Sequence, residues 1–257
     1  MLLTIRTTHK PATDLGYLLH KHPDHLHTAI TSFAKVHVFY PEATEESCTV
    51  AVLLDFDSVG LVRKSRGKKT FALQEYVNDR PYVASSFMSV ALNQVFRTAF
   101  SGKSKDRQEL VDVSIPLEVK IAVLPCRGGE AILRRLFEPL GYELEAKCLT
   151  LDEKFPDWGE SIYYAVTLKR CCPLKEFLSH LYVLIPVLDN EKHYYIDQDE
   201  IEKLFRFGEG WLKSHPEYEM ITKRYLRFRS FANEALAQLS DGDEVKTGNE
   251  EDEAEKW

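Results

Sequence analysis

The order of strands and helices in the second half of this chain is the feature that most constrains its fold. Apolar and β-branched runs predict four strands, at residues 117–124, 142–150, 161–169 and, as a short extended run, 193–196. Helical periodicity predicts two helices, at residues 129–140 and 173–184. This βαββαβ order is that of the split βαβ motif, so the sequence predicts a ferredoxin-like module at residues 114–196.

The first half, residues 1–113, is predicted to be another α/β module. Its strand-forming runs lie at residues 2–7, 33–40 and 48–55, and Thr13 offers a cap for a short helix. Pro81 and Gly102 bracket a predicted long helix at residues 82–101. Small side chains on that helix favour close approach to a neighbouring element; they are Ala84, Ser85, Ser86 and Ser89.

Beyond residue 196 the pattern changes twice. Apolar positions spaced by three and four predict a helical pair at residues 197–239. Residues 240–257 contain eight acidic and two basic residues, and we expect them to be a disordered acidic linker to an absent further domain. The fold class predicted is therefore α+β: two packed α/β modules, the second ferredoxin-like, with C-terminal helices.

Composition excludes several classes of protein. The longest uncharged apolar run, near residues 181–188, is too short to cross a bilayer, and the chain does not open on a secretory signal. The five cysteines form no CxxC pair, which is typical of reduced thiols in a cytoplasmic protein. We therefore expect a cytoplasmic chain that binds no membrane.

Motifs for the common nucleotide-dependent reactions are missing from the sequence. It has no KxDG-like lysine nucleophile, no GK[ST] phosphate loop and no multi-glycine loop for a methyl donor. Arg127, Gly128 and Gly129 follow a predicted strand and open a helix. They are interpreted either as a tight turn or as a contact to a phosphate or partner carboxylate through Arg127. No catalytic residue is predicted.

Four histidines crowd one short segment, His20, His22, His25 and His27. Imidazoles are common zinc ligands, but spacings of two, three and two across a helix end do not place all four on one face. The preferred interpretation is a solvated helix end, and no metal site is predicted.

A basic run lies in the first module. It places five cations in seven residues, at Arg63, Lys64, Arg66, Lys68 and Lys69. Such a run is usually a solvated loop, and the alternatives are contact with RNA phosphates or with an acidic patch on a protein. No aromatic residue interrupts it, so stacking of single-stranded bases is not indicated.

Two further segments carry residue types that anchor protein interfaces. Phe155 and Trp158 lie among carboxylates in the acidic segment of residues 151–160, where they either form an interface anchor or fold back onto the module. Asn190 to His193 form a polar string after Pro186, a residue expected to stop or kink the preceding helix. The string is interpreted either as a plain turn between two apolar runs or as a contact in which Lys192 and His193 meet acidic groups on a partner.

Long ordered strings of the sequence resemble one bacterial family, the amino-terminal region of the RNA-repair 3′-terminal ribose 2′-O-methyltransferase. The strongest are YVNDRPYVASSF at residues 76–87 and HLYVLIPVLDNEKHY at residues 180–194. Further matches are THKPATDLGYLLHKHP at 8–23, HVFYPEA at 37–43, VGLVR at 59–63, LPCRGGEAILRRLFEPLGYE at 124–143 and GEGWLKSHPEYEMITKRYL at 208–226.

This resemblance implies a non-catalytic region that binds a partner RNA ligase and activates it. The partner would be the bacterial polynucleotide kinase–phosphatase–ligase or a separate ligase subunit, joined in a hetero-oligomer, with direct contact to RNA left open. No cofactor is expected for this region; S-adenosylmethionine and a divalent metal belong to the absent methyltransferase domain. The first docking surface to consider is the signature Asp79, Arg80 and Tyr82, because Arg and Tyr dominate interface energies. The alternative is that Arg80 caps the local fold through Asp79.

Overall fold

The computed structural model describes residues 1–56, 85–152, 154–190 and 198–226, together with helical residues 232, 235, 236 and 239. The strands are β1 (Leu2–Thr7), β2 (His27–Ile30), β3 (Ala34–Ala43), β4 (Cys48–Phe56), β5 (Ile115–Pro125), β6 (Glu143–Thr150) and β7 (Glu160–Cys172). The helices are α1 (Asp14–Leu19), α2 (Ser85–Val95), α3 (Arg97–Phe100), α4 (Gly129–Phe137), α5 (Leu174–Asp189), α6 (Gln198–Gly208) and α7 (Tyr218–Leu226). The mixed α and β class predicted from the sequence is confirmed.

The described strands form one antiparallel sheet in the order β2-β3-β4-β1-β5-β7-β6. The N-terminal strand β1 lies in the middle, where Ile5 is in register with Val50 of β4 and Val119 of β5. The sheet therefore crosses the predicted boundary between residues 113 and 114. The division into two modules therefore stays a prediction. In the sheet, β1 pairs with a strand from each half and joins the two halves.

Half of the ferredoxin-like prediction has a counterpart in this sheet. β7 lies between β5 and β6, as the middle strand does in a split βαβ motif. On the other side of β5, the position of the fourth strand is occupied by β1. The predicted strand at residues 193–196 lies outside the described residues, so a complete ferredoxin-like module is not confirmed.

The core lies between one face of the sheet and the helices. Along β1, Leu3 and Ile5 are buried, whereas Leu2, Thr4 and Arg6 on the opposite face are at least partly accessible. Helix α5 is the centre of the helical layer and packs against α2, α6 and α7. It is buried from Phe177 through Asp189, which explains its apolar composition on all sides.

Two helix predictions are corrected by the structure. The helix predicted at residues 82–101 is interrupted at Phe96, whose φ of −115° separates α2 from α3; residues 82–84 lie outside the described part. Pro186 does not stop α5, which continues to Asp189 and ends at Asn190 with φ 53°. A proline removes one helical N–H donor, and burial of the surrounding apolar side chains outweighs that loss.

Within α2, the small residues lie on the buried side, as the sequence suggested. Ser85, Ser86 and Ser89 are buried, so the helix axis can approach α5 closely.

In the described residues, no helix is long and apolar enough to cross a membrane.

Candidate partner-binding surface

The turn that joins β6 to β7 carries the two aromatic residues singled out in the sequence. We call residues 151, 152 and 154–159 the hairpin tip. The rings of Phe155 and Trp158 stack on each other, with centroids 4.8 Å apart and planes 14° from parallel. Their side chains are not folded back, because the two residues are 52% and 61% exposed. The alternative in which they pack onto the domain is thereby excluded.

Hydrogen bonds of the backbone hold the hairpin tip in shape. The Leu151 N–H donates to the Gly159 carbonyl at 3.2 Å, and the Trp158 N–H donates to the Phe155 carbonyl at 3.0 Å. Asp152 Oδ1 accepts the Lys154 N–H at 2.7 Å. A short 3-10 turn at Pro156–Trp158 places the two rings on the same side of the loop.

Arg127, the other described residue predicted to touch a partner, belongs to a tight turn. Its N–H donates to the Leu188 carbonyl at 2.9 Å, and its carbonyl accepts Arg224 Nη1 at 3.1 Å. The Gly129 N–H donates to the Cys126 carbonyl at 3.3 Å. Because two of these amides are already paired, the turn is a poor phosphate cradle, and the interpretation as a structural turn is favoured.

Gly128→Ala is expected to destabilise the fold by about 3 kcal/mol. Gly128 has φ 113°, and an added Cβ would lie 2.6 Å from Ile132 Cγ1. Gly210→Ala is the control, since its φ of 82° is also positive but nearer to the left-handed region, and no atom lies within 4 Å of the new Cβ. This control variant should lower the free energy of unfolding by about 1 kcal/mol, measured by urea denaturation. Equal costs for the two variants would show that the contact with Ile132 relaxes freely.

The rings of three of the crowded histidines lie close together, with centroids 5.0 Å apart for His22 and His25 and 6.3 Å apart for His25 and His27, but two of the three use a ring nitrogen on the backbone. His22 Nδ1 accepts the Asp24 N–H at 3.3 Å, and His27 Nε2 lies 3.2 Å from the His22 carbonyl. His20 ends α1 with φ 55°. Throughout the described ranges, no group of three or more His, Cys, Asp or Glu side chains could hold a metal ion.

Most residues predicted to bind a partner or RNA lie outside the described ranges. They are Arg63, Lys64, Arg66, Lys68, Lys69, Asp79, Arg80, Tyr82, Lys192 and His193. The described ends of the two signature strings nevertheless meet, because the Ser85 N–H donates to Asp189 Oδ2 at 3.4 Å. Asp189 is buried at the end of α5. The described ends of the two strings, far apart in sequence, therefore meet at one end of α5.

Nothing in the sequence indicated the role of Arg224, whose side chain connects α7 to the turn at Arg127 and to the end of α5. Its guanidinium donates to the Arg127 carbonyl at 3.1 Å and to the Val187 carbonyl at 3.3 Å. Cations near the end of a helix satisfy carbonyls that lack helical partners. No local sequence pattern points to this role, because the three segments are joined only in the folded chain.

A second unpredicted feature is a buried polar cluster around His180. Arg170 Nη1 lies 3.3 Å and Tyr142 Oη 2.9 Å from His180 Nδ1. Arginine can only donate, so Nδ1 is the acceptor and the neutral ring carries its proton on Nε2. Burial, reinforced by the positive charges of Arg170 and His215, lowers the pKa of His180 to about 3. The Trp211 ring stands perpendicular to the imidazole at 4.8 Å between centroids.

Exposed aromatic rings on a hydrogen-bonded turn are typical of a protein-interaction module rather than of a catalytic cleft. The chain belongs to the family described as the RNA-repair, ligase–Pnkp-associating region of Hen1, whose family model matches residues 1–240. The resemblance inferred from the sequence strings is thus confirmed. This family is an associating region and not a catalytic methyltransferase domain.

Two solved structures share the fold of this chain. The first, of a Pnkp1/Rnl/Hen1 complex, has a TM-score of 0.62 and 12% identity, and covers 94% of this chain and 55% of the solved one. The second, of the Pnkp1/Rnl/Hen1 RNA repair complex, has a TM-score of 0.59, 13% identity and coverages of 94% and 54%. This chain therefore spans about half the length of these relatives. No curated protein sequence matches it significantly.

Proposed function

We propose that this chain docks on the RNA ligase of a bacterial repair complex in the cytoplasm and raises its ligase activity. The observation that carries this proposal is the family match over residues 1–240, which describes an RNA-repair region that associates with ligase and Pnkp. The likeness of fold to Pnkp1/Rnl/Hen1 complexes agrees with it. The chain catalyses nothing in this scheme, in keeping with the lack of nucleotide and methyl-donor motifs in its sequence.

Activation then has a simple physical basis. The chain must bind the adenylation-competent conformation of the ligase more tightly than its idle conformation, since equal affinity would shift no population. A tenfold gain in the competent fraction requires a preference of only about 1.4 kcal/mol. The single sheet that joins both halves supplies a stiff platform on which such a preference can be built.

The signature residues Asp79, Arg80 and Tyr82, with Lys192 and His193, are the proposed contacts that sense the ligase conformation. The contact between Ser85 and Asp189 supports this, because it joins the described ends of both signatures. Arg127 takes part indirectly, by shaping the neighbouring turn. No cofactor is proposed for this region; S-adenosylmethionine and a divalent metal are expected only in a methyltransferase domain of the kind that the resembled family carries.

The test combines the purified chain with its partner ligase, in the form of a kinase–phosphatase–ligase or a separate subunit. We expect a stoichiometric complex on size-exclusion chromatography without RNA, and ligase adenylation by labelled ATP at least about tenfold above ligase alone. Bovine serum albumin at the same concentration controls for nonspecific stabilisation. Complex formation with unchanged adenylation would reduce the proposal to a scaffold, and the absence of a complex would end it.

The second candidate is an RNA module that presents the broken 3′ end to repair enzymes. The observation that favours it is the basic run Arg63, Lys64, Arg66, Lys68 and Lys69 in the sequence. Under this candidate, the chain would join the ligase on size-exclusion chromatography only when nicked RNA is added.

A further inference from the structure

We propose that the hairpin tip is a protein-docking knob, whose stacked rings enter an apolar socket with a basic rim on the partner protein. This inference rests on the proposed function for the existence of a protein partner, and it adds the surface and the chemistry of its complement. The knob belongs to the turn between β6 and β7, at the sheet edge opposite to β2.

The first argument is the exposure of the two rings combined with their stacking. Phe155 and Trp158 leave more than half of their surface in water, although large aromatic side chains gain the most from burial. Leu151, at the base of the same tip, is also exposed. The hydrogen bonds across the turn and the 14° stacking angle place both rings side by side on the outside of the turn without a partner. Docking would therefore cost little side-chain entropy, which is the advantage of a preformed anchor.

The second argument is charge, and it favours a protein over RNA. The described carboxylates of the tip and its flank are Asp152, Asp157 and Glu160, against the single ammonium of Lys154. Asp157 and Glu160 are exposed, so RNA phosphates would meet a negative field here. The stacked rings also occupy each other's inner faces, which leaves no slot for a base between them. Arg and Lys around an apolar socket would complement both features.

The experiment uses the full chain and the immobilised partner ligase, with a labelled 20-nucleotide single-stranded RNA as the second probe. Phe155→Ser combined with Trp158→Ser should weaken ligase binding at least about thirtyfold and leave RNA binding unchanged. Ile30→Ser is the matched control, because Ile30 is 77% exposed on β2 at the opposite edge. It should bind the ligase like the wild-type chain.

Charge is tested separately with Asp157→Arg, which keeps both rings. We expect slower association with the ligase, and a larger difference from wild type at low salt than at high salt. Because Asp157 is exposed, this variant should fold normally even if the double serine variant loses stability. The two experiments therefore do not depend on one another.

The outcomes separate the inference from the proposed function. Suppose that the wild-type chain binds the ligase and that neither the double variant nor Asp157→Arg differs from it. The inference that the hairpin tip docks on the partner is then wrong, while the proposed function stands. If the double variant loses RNA binding instead, the tip is an RNA contact and the inference is wrong. If the wild-type chain does not bind the ligase, both the proposed function and the inference about the hairpin tip are wrong.

Discussion

Ile5→Ala should lower the free energy of unfolding by about 3 to 4 kcal/mol and destabilise both halves of the chain together. Ile5 is completely buried in β1, in register with Val50 on one side and Val119 on the other. Truncation removes apolar contacts and leaves a cavity at the only strand that pairs with both halves of the described sheet. Urea unfolding followed by circular dichroism measures the loss.

Leu2→Ala is the control for this experiment, because Leu2 lies in the same strand but on the accessible face. We expect it to cost about 1 kcal/mol or less. A single shifted transition for Ile5→Ala would agree with one cooperative unit. Two separate transitions, or equal losses for the two variants, would instead support independent modules divided near residue 113.

The second large effect is a loss of stability in mild acid that depends on His180. Burial, together with the charges of Arg170 and His215, lowers the pKa of His180 from 6.5 in the unfolded chain to about 3 in the folded one. Below pH 6.5 the unfolded chain therefore binds a proton that the folded chain does not. The contribution of His180 to the free energy of unfolding is fully present above that pH and is lost as the pH falls toward 3. The free energy of unfolding should drop by about 2 kcal/mol between pH 7 and pH 5.

Burial also lowers the pKa of His215, so its contribution has the same sign. Replacing His180 with Phe should flatten the dependence of unfolding free energy on pH, because the titrating ring is gone. Tyr142→Phe is the matched control: it removes the O–H donor at 2.9 Å from Nδ1 and keeps the imidazole. Its slope should resemble the wild-type slope. Identical slopes for His180→Phe and wild type would place the acid sensitivity elsewhere.

Local patterns in the sequence predicted the long regular elements well. The apolar runs at residues 2–7, 48–55 and 117–124 correspond to β1, β4 and β5 within a few residues. The strand β2 was missed because His27–Ile30 has only four residues, half of them polar, and owes its place to pairing with β3. Short edge strands carry little periodic signal of their own.

The candidate site was likewise only partly predictable from the sequence. Composition alone pointed to Phe155 and Trp158, since two aromatic residues among carboxylates are unusual in a core. Whether the rings face solvent was open until the structure placed them, stacked, on the outside of the turn. The role of Arg127 could not be decided from the sequence, because its amide pairs with Leu188, a residue far along the chain.

The sequence by itself determined the family and the types of element, because both depend on ordered strings and on local periodicity. Tertiary structure alone decided that β1 joins two halves into one sheet, that Arg224 links three segments, and that His180 is kept neutral. Each of these depends on contacts between residues far apart in the chain. Their energies come from burial and pairing in three dimensions, which no local pattern of residues encodes.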